Sequence, residues 1–255
     1  AANSAQITVN KRTSLVTAPT TAIAAFVEKT FTLTANVYDG YDSVTPLSGK
    51  TVTFDFNNST YTATTMASGK ASYSLIAPSL AGTYNYEASF AGDSLYNGSF
   101  AESSVEVSLN ETSLVASDAA GYVSSDTVLA ALLKSSSTAL ASVPVTFEFE
   151  GTTYTANTDI LGRVSVSVPL PGAVGSYSYS ASFAGNYKYA ASDAVAAVTV
   201  QKRPIATVFN AFTAPANSTF PVTISIADGL AGTPVAGIPV LFTYNGVTVS
   251  SMSDE

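Results

Sequence analysis

The strongest constraint in this sequence is that it repeats itself. Residues 52–107 laid over 145–200 at a constant offset of 93, without a gap, are identical at 26 of 56 positions. That is well beyond what a composition rich in Ser, Thr and Ala produces by chance. The matches fall in blocks: Val52-Thr53-Phe54 with Val145-Thr146-Phe147, Thr60-Tyr61-Thr62-Ala63 with Thr153-Tyr154-Thr155-Ala156, and Ser89-Phe90-Ala91-Gly92 with Ser182-Phe183-Ala184-Gly185. Upstream, Thr13-Ser14-Leu15-Val16 recurs as Thr112-Ser113-Leu114-Val115 at offset 99, so the first copy holds six extra residues, placed in an insertion loop at Tyr38–Gly49. A third copy starts at Lys202-Arg203, echoing Lys11-Arg12, and Pro239-Val240-Leu241-Phe242 follows Pro144-Val145-Thr146-Phe147 at offset 95. In that register Asp254 answers Asp159, so the third copy is expected to be truncated, with about forty residues missing. Ile7-Thr8-Val9 answers Val198-Thr199-Val200, which makes residues 1–10 the expected closing strand of a preceding module or a linker. The chain is therefore read as domains at 11–108, 109–201 and 202–255, cut from a longer array of modules of about 100 residues each.

Composition narrows the chemistry. The 255 residues include no Cys, no His and no Trp, which removes disulfide frameworks, Cys/His zinc sites and any catalysis that needs a thiolate or an imidazole. Charged residues make up only 11%, and the polar surface has to come instead from 35 Ser and 32 Thr. Ten basic against eighteen acidic residues give a net charge of −8 and a pI near 4.4, the wrong sign for a nucleic-acid partner. No window of 18 consecutive apolar residues exists to span a bilayer as a helix. A basic stretch followed by an apolar segment is missing at the N-terminus, so any secretory signal is expected outside this chain.

Period-two alternation dominates both full copies and places apolar side chains on one face of a pleated strand with hydroxyls on the other. Tyr84, Tyr86, Ala88 and Phe90 face one way against Asn85, Glu87 and Ser89, and Tyr177, Tyr179, Ala181 and Phe183 repeat the pattern. Val52, Phe54 and Phe56 alternate with Thr53, Asp55 and Asn57, as Val145, Phe147 and Phe149 do with Thr146, Glu148 and Glu150. Further strands are predicted at 31–37, 71–75, 164–168, 105–107 and 198–200. The run Val128–Leu133 has high helix propensity, a weak prior. Its counterpart at 31–37 alternates cleanly, so the run is read as a strand buried on both faces. About seven short strands per copy, separated by Gly-containing turns, describe an all-β fold of tandem immunoglobulin-like β-sandwich domains.

The order TSLV, a long first hairpin, VTFDF, GKASYSL, AGTYNYEASFAGDSLY and SVEV resembles the bacterial Ig-like repeat family. Its pattern sits here on Gly82, Tyr84, Phe90, Gly92, Asp93 and Tyr96, and again on Gly175, Tyr177, Phe183, Gly185 and Tyr187 or Tyr189, with Asn186 replacing the Asp. The resemblance covers nearly the whole chain. It implies stalk, spacer or lattice modules of secreted and cell-surface proteins, including adhesins and S-layer-type proteins, and no enzymatic activity. It fixes architecture far better than ligand.

Candidate sites are few. Tyr38-Asp39-Gly40-Tyr41-Asp42-Ser43 gathers two carboxylates and two aromatics in one loop, so Asp39 and Asp42 are the calcium candidates and Tyr38 and Tyr41 the candidate ligand loop. The competing reading is a hairpin tip made of turn formers. Asp93 raises the same calcium question, but Asn186 at the matching position favours a turn cap. Glu148 and Glu150, two apart on one strand, are a nominal carboxylate pair, against the plainer reading of solvated surface. Asn-x-Ser/Thr sequons mark Asn57, Asn58, Asn97, Asn110 and Asn217 as glycosylation candidates. Tyr84 and Tyr177, two residues after Gly82 and Gly175, are placed to close a tyrosine corner. Lysine positions do not recur between the copies, which argues against Lys–Asn isopeptide bonds.

No cofactor follows from these residues unless calcium binds the loop. The expected role is a structural module array of an extracellular cell-surface protein of the S-layer, stalk or filament type, a semi-rigid spacer or lattice element. The alternative is an adhesin-type module that holds a glycan or protein ligand. Expected partners are further modules of the same protein, identical neighbouring subunits, or a cell-surface glycan or protein. The open faces of the third copy are expected to be completed by strands from a continuation of the polypeptide, from a neighbouring subunit or from lattice contacts, the first being favoured.

Overall fold

The computed structural model describes residues 9–209, 213–216 and 218–254. Among them there is no helix. By contacts the chain divides into two compact units. Unit 1 comprises Ala1–Ser113, Leu133–Leu140 and Phe183–Ser192, and unit 2 comprises Leu114–Leu132, Ala141–Ser182 and Asp193–Glu255. The sheets follow the sequence copies.

The first copy contributes β1 (Ser14–Thr17), β2 (Ile23–Phe26), β3 (Thr30–Asp39), β4 (Thr51–Phe56), β5 (Ser59–Thr64), β6 (Lys70–Ile76), β7 (Gly82–Gly92) and β8 (Asn97–Ser108). They form a three-stranded sheet in the order β1-β3-β6 and a five-stranded sheet in the order β2-β8-β7-β4-β5. Pro19 lies in the segment between β1 and β2. It has no N–H to give a ladder, and the chain switches sheets there: β1 runs antiparallel to β3 and β2 parallel to β8. The alternating residues meet between the layers. Leu33 and Val37 of β3, Val52 and Phe54 of β4, and Ala88 of β7 are fully buried, and Tyr86 is 2% exposed.

The second copy repeats this with β9 (Ser113–Ser117), β10 (Ala119–Tyr122), β11 (Asp126–Ser135), β12 (Thr138–Ala139), β13 (Pro144–Phe149), β14 (Thr152–Asn157), β15 (Arg163–Pro169), β16 (Gly175–Phe183) and β17 (Ser192–Gln201). Its five-stranded sheet has the order β10-β17-β16-β13-β14, facing β12-β11-β15 with β9 also on β11. Registers match between copies: Phe54 sits opposite Ala88 as Phe147 sits opposite Ala181. The fold is all-β, in tandem immunoglobulin-like sandwiches. The tyrosine corners form, with Tyr84 Oη donating to Leu80 O at 2.9 Å and Tyr177 Oη to Ala173 O at 3.0 Å.

The third copy contributes β18 (Ile205–Phe209), β19 (Ile224–Asp228), β20 (Pro239–Tyr244) and β21 (Val247–Met252) as two two-stranded sheets, β18-β19 and β20-β21. The β20–β21 register, Pro239 opposite Met252, repeats that of β13–β14, Pro144 opposite Asn157. One turn serves all three hairpins. Asn57-Asn58, Glu150-Gly151 and Asn245-Gly246 all have positive φ, the type I′ geometry whose twist matches the flanking strands.

Two expectations need correction. Val128–Leu133 is a strand, but only one face is buried: Leu129, Ala131 and Leu133 point inward while Val128 is 57% exposed. The uniform apolar run hid an ordinary alternation, because alanine and leucine tolerate partial exposure on a strand's outer face. Glu150 is not on a strand face with Glu148. It occupies the αL position of the hairpin turn after β13 ends, so the two carboxylates do not form a face pair.

A tyrosine hydroxyl spans each core. Tyr86 Oη donates to Thr34 O at 3.0 Å. Tyr179 Oη lies 2.6 Å from Ser117 O and 2.8 Å from Ala130 O, and accepts the Ser117 N–H at 3.1 Å. Burial pushes both phenols above their ordinary pKa, so they act as neutral donors. Removing such a hydroxyl costs about 1 kcal/mol per lost bond and more where a buried partner is orphaned. Tyr179→Phe is therefore expected to lower stability more than Tyr86→Phe, by about 1 kcal/mol, read from denaturant midpoints of the two variants. Equal midpoints would refute the assignment.

Candidate functional site

The loop singled out in the sequence begins at the end of β3. Asp39 is 3% exposed. Its Oδ1 accepts the Tyr41 N–H at 2.9 Å, and its Oδ2 pairs with Arg12 at 2.5 Å and accepts from Tyr96 Oη at 3.2 Å. The Tyr41 amide, opposed in part by burial and helped by Arg12 and Tyr96, holds this carboxyl below the usual range. Asp42 Oδ1 accepts from the amides of Val44 at 3.1 Å and Thr45 at 2.9 Å, and its Oδ2 from the Thr45 hydroxyl at 2.5 Å. The Thr45 hydroxyl, then the two amides, hold Asp42 down at about 2. Both carboxylates thus serve the loop's own backbone. A cation here would have to displace Arg12 from Asp39 and Thr45 from Asp42. Among the described residues no group of three or more His, Cys, Asp or Glu stands together to hold a metal. Tyr38 is half-buried, while Tyr41 is 88% exposed beside Arg12 and Thr13.

The third copy builds the same latch. Arg203 pairs with Asp228, whose Oδ1 accepts the amides of Leu230 and Ala231 at 2.8 and 2.9 Å. Gly229 N–H donates to Pro204 O as Gly40 N–H donates to Thr13 O. A Cβ at Gly40 would stand 2.7 Å from Thr13 Oγ1 and 3.0 Å from its carbonyl carbon, so only glycine lets the loop close on the first strand. The sequence carried both halves of this signal, the Lys11-Arg12 echo and the Asp-Gly turns. Their contact is visible only in the fold.

Asp93 caps the β7–β8 turn. Its Oδ1 accepts the amides of Leu95 at 2.7 Å and Tyr96 at 2.8 Å, and its Oδ2 pairs with Lys50 at 2.5 Å. The Lys50 ammonium also lies 5.0 Å from the Tyr96 ring centre. Lys50, then the two amides, hold Asp93 down at about 2. Asn186 Oδ1 accepts the amides of Lys188 and Tyr189, both at 2.9 Å, so the turn-capping expectation holds at both positions.

Within unit 1, one asparagine ties three segments together. Asn110 is 5% exposed. Its Nδ2 donates to Val27 O and to Lys188 O, both at 3.0 Å. Its backbone N–H donates to Lys188 O and its carbonyl accepts the Ala190 N–H, both at 2.9 Å. Lys188 Nζ pairs with Glu28 at 2.5 Å, and that contact raises the lysine's pKa. Val27 N–H closes the set by donating to Ser108 O at 2.9 Å. Sequence reasoning offered Asn110 as a glycan acceptor, and the structure corrects this. The nitrogen a glycan would occupy is buried and donates twice. Asn57 and Asn58, at a hairpin tip, and Asn97 are exposed; Asn217 lies outside the described residues.

No family model matches the chain, and no curated protein matches it. Solved structures similar to it include a Ca2+-stabilized adhesin that helps an Antarctic bacterium bind ice. It is 18% identical at a TM-score of 0.33, over 95% of this chain and 63% of that one. A 1.5-MDa bacterial ice-binding adhesin is 16% identical at 0.35, over 95% and 84%. The titin domains z1z2 in complex with telethonin are 14% identical at 0.43, over 77% and 100%. This chain thus spans less than two thirds of the first of these structures. These partial likenesses carry no argument about its ligand.

The capping carboxylates set the acid response. Asp42 and Asp93 titrate near 2 in the folded protein and at about 4 when unfolded. The unfolded chain therefore binds more protons in that window, and stability present above about pH 4 is lost as the pH falls toward 2. In Lys50→Met the Asp93 share of this loss is expected to shrink, read as a flatter dependence of melting temperature on pH between about 4 and 2. An unchanged slope would refute it.

Proposed function

We propose that this chain is a spacer element of an extracellular cell-surface protein, of the bacterial Ig-like kind, with no enzymatic role. The observation that carries this reading is the state of the segment after β8. Ser108 and Asn110 are not a free linker: the Ser108 carbonyl, the Asn110 amide and carbonyl, and the Asn110 side chain are all engaged within unit 1. A load carried along such a chain meets bonded backbone and two closed cores before it meets slack. The hydroxyl-covered exterior, with few charges to attract ligands of opposite sign, supports the same reading. A lattice or filament role is a narrower form of it.

Single-molecule pulling on residues 11–201 tests this. Two separate unfolding events are expected, each releasing about 30 nm of contour length for about 90 residues extended at about 3.4 Å apiece. One merged event, or smooth extension without a force peak, would overturn the spacer reading.

One observation favours a second reading, an adhesin-type module. Tyr41 is 88% exposed on a loop whose backbone Asp39 and Asp42 hold fixed, and a rigidly presented aromatic suits a glycan or protein surface. On this reading, Tyr41→Ala should abolish binding on a glycan array or to whole cells while the melting temperature stays within about 2 °C of wild type. Binding that survives the substitution would exclude the loop.

A further inference from the structure

One residue position carries different tasks in different copies. Hydrogen bonds, more than the sequence match, set the equivalence. Arg12 N–H donates to Leu95 O and Arg12 O accepts the Asn97 N–H, both at 2.8 Å, as Asn110 N–H donates to Lys188 O and Asn110 O accepts the Ala190 N–H, both at 2.9 Å. Ser14 Oγ donates to Asn97 O as Thr112 Oγ1 donates to Ala190 O. Arg203 completes the set, because Gly229 N–H closes on Pro204 O as Gly40 N–H closes on Thr13 O. Arg12, Asn110 and Arg203 thus stand at one place.

Their side chains go two ways. Arg12 pairs with Asp39 and Arg203 with Asp228, each within its own copy. Asn110 instead donates to Val27 O, in the turn that follows β2 of the copy before it. The partner position changes with it. The buried Leu129, Ala131 and Leu133 of β11 answer Leu33, Ala35 and Val37 of β3, which sets Ser135 where the first copy has Asp39. A guanidinium at 110 would meet a hydroxyl there in place of a carboxylate. The turn that receives Asn110 is itself built in both full copies. Val123 N–H donates to Gln201 O as Val27 N–H donates to Ser108 O, and Ser124 has an αL φ of 54° where Glu28 has 56°. What differs is the side chain offered to that turn, since Arg203 is held by Asp228.

We propose that this position sets the stiffness of the joint before each copy. Asparagine, with serine at the end of β11, locks a copy to its predecessor; arginine, with aspartate at the end of β3 or β19, closes on its own copy and leaves a hinge. Asparagine suits the lock because its two N–H groups satisfy two carbonyls at once, Val27 O and Lys188 O, both at 3.0 Å. The neighbouring Lys188–Glu28 pair is partly exposed and adds little by itself, so the amide carries the lock. Arginine suits the latch because its planar fork matches a carboxylate. This inference concerns where the chain bends and does not depend on the spacer reading.

The test uses the 255-residue protein, which has no cysteine of its own, with spin labels on two introduced cysteines at a time. Ser59, Thr152 and Val247 hold one place in the three hairpins, opposite Phe56, Phe149 and Tyr244, and all are exposed. The Ser59→Cys/Thr152→Cys pair is expected to give a narrow distribution of distances and the Thr152→Cys/Val247→Cys pair a broad one. Adding Asn110→Arg with Ser135→Asp, which supplies the latch within the copy, should broaden the first distribution and speed exchange of the Val27 amide about tenfold. The Tyr86 and Ala181 amides should keep their protection, showing that both cores stay closed. Asn110→Asp, which keeps the shape and loses the donors, should act in the same way and decides the matter if the double variant does not fold. A first distribution that stays narrow in a folded variant, or a second one as narrow as the first, would overturn the proposal.

Discussion

A phenol buried between two sheets has to find a hydrogen-bond partner there, and in each full copy this requirement sets the geometry of the core. Tyr86 and Tyr179 reach from one layer to a carbonyl of the other, which fixes the register of the layers as well as their separation. Aliphatic packing alone tolerates sliding and repacking, since volume-conserving changes are cheap. A buried donor that has to reach a carbonyl of the facing layer does not. The aromatic neighbours follow from this: Phe54 lies 6.2 Å from the Tyr86 ring and Phe147 lies 6.0 Å from the Tyr179 ring, both tilted, within the range that favours aromatic pairs.

Polar anchors outside the core are local and repeat as conformations more faithfully than as residue types. Asp93 and Asn186 cap the same turn through the same oxygen, one ionised and one neutral. The Arg–Asp latch joins the first strand to the end of the third segment in copies one and three. In the second copy the Ser135 hydroxyl instead donates to the Glu111 carbonyl. The shape of the turn is what the fold requires, and several side chains can meet it.

Much of the architecture could be read from the alternation along Thr51–Phe56 and Gly82–Gly92, because a strand with one buried face writes its period into the sequence. The tyrosine corners and the turn caps were legible for the same reason: each is decided within four residues. What could not be read was non-local. Asn110 looked like a glycan acceptor because a sequon is a three-residue pattern. Its burial comes from Val27 and Lys188, both about eighty residues away. Asp39 and Asp42 looked like paired ligands because they are close in sequence. The oxygens of Asp39 are occupied by Arg12 and Tyr96 as well as by the loop itself. Val128–Leu133 misled in another way, since an all-apolar run carries no period from which to tell one buried face from two.

The shared hairpin turn has a consequence for the order of folding. Among the described residues β20 and β21 pair only with each other, in the register of β13 and β14, so this pairing is encoded by its own fourteen residues, Pro239–Met252, and the αL pair at its tip. A tight hairpin closes in about 1–10 μs. By contrast β1 waits for β3, and β2 for a β8 some eighty residues downstream, a loop whose closure entropy is far larger. Each full copy therefore has a fast local seed and a slow long-range seal, and until the seal forms the edges of β2 and β8 are the part open to strand exchange between similar copies.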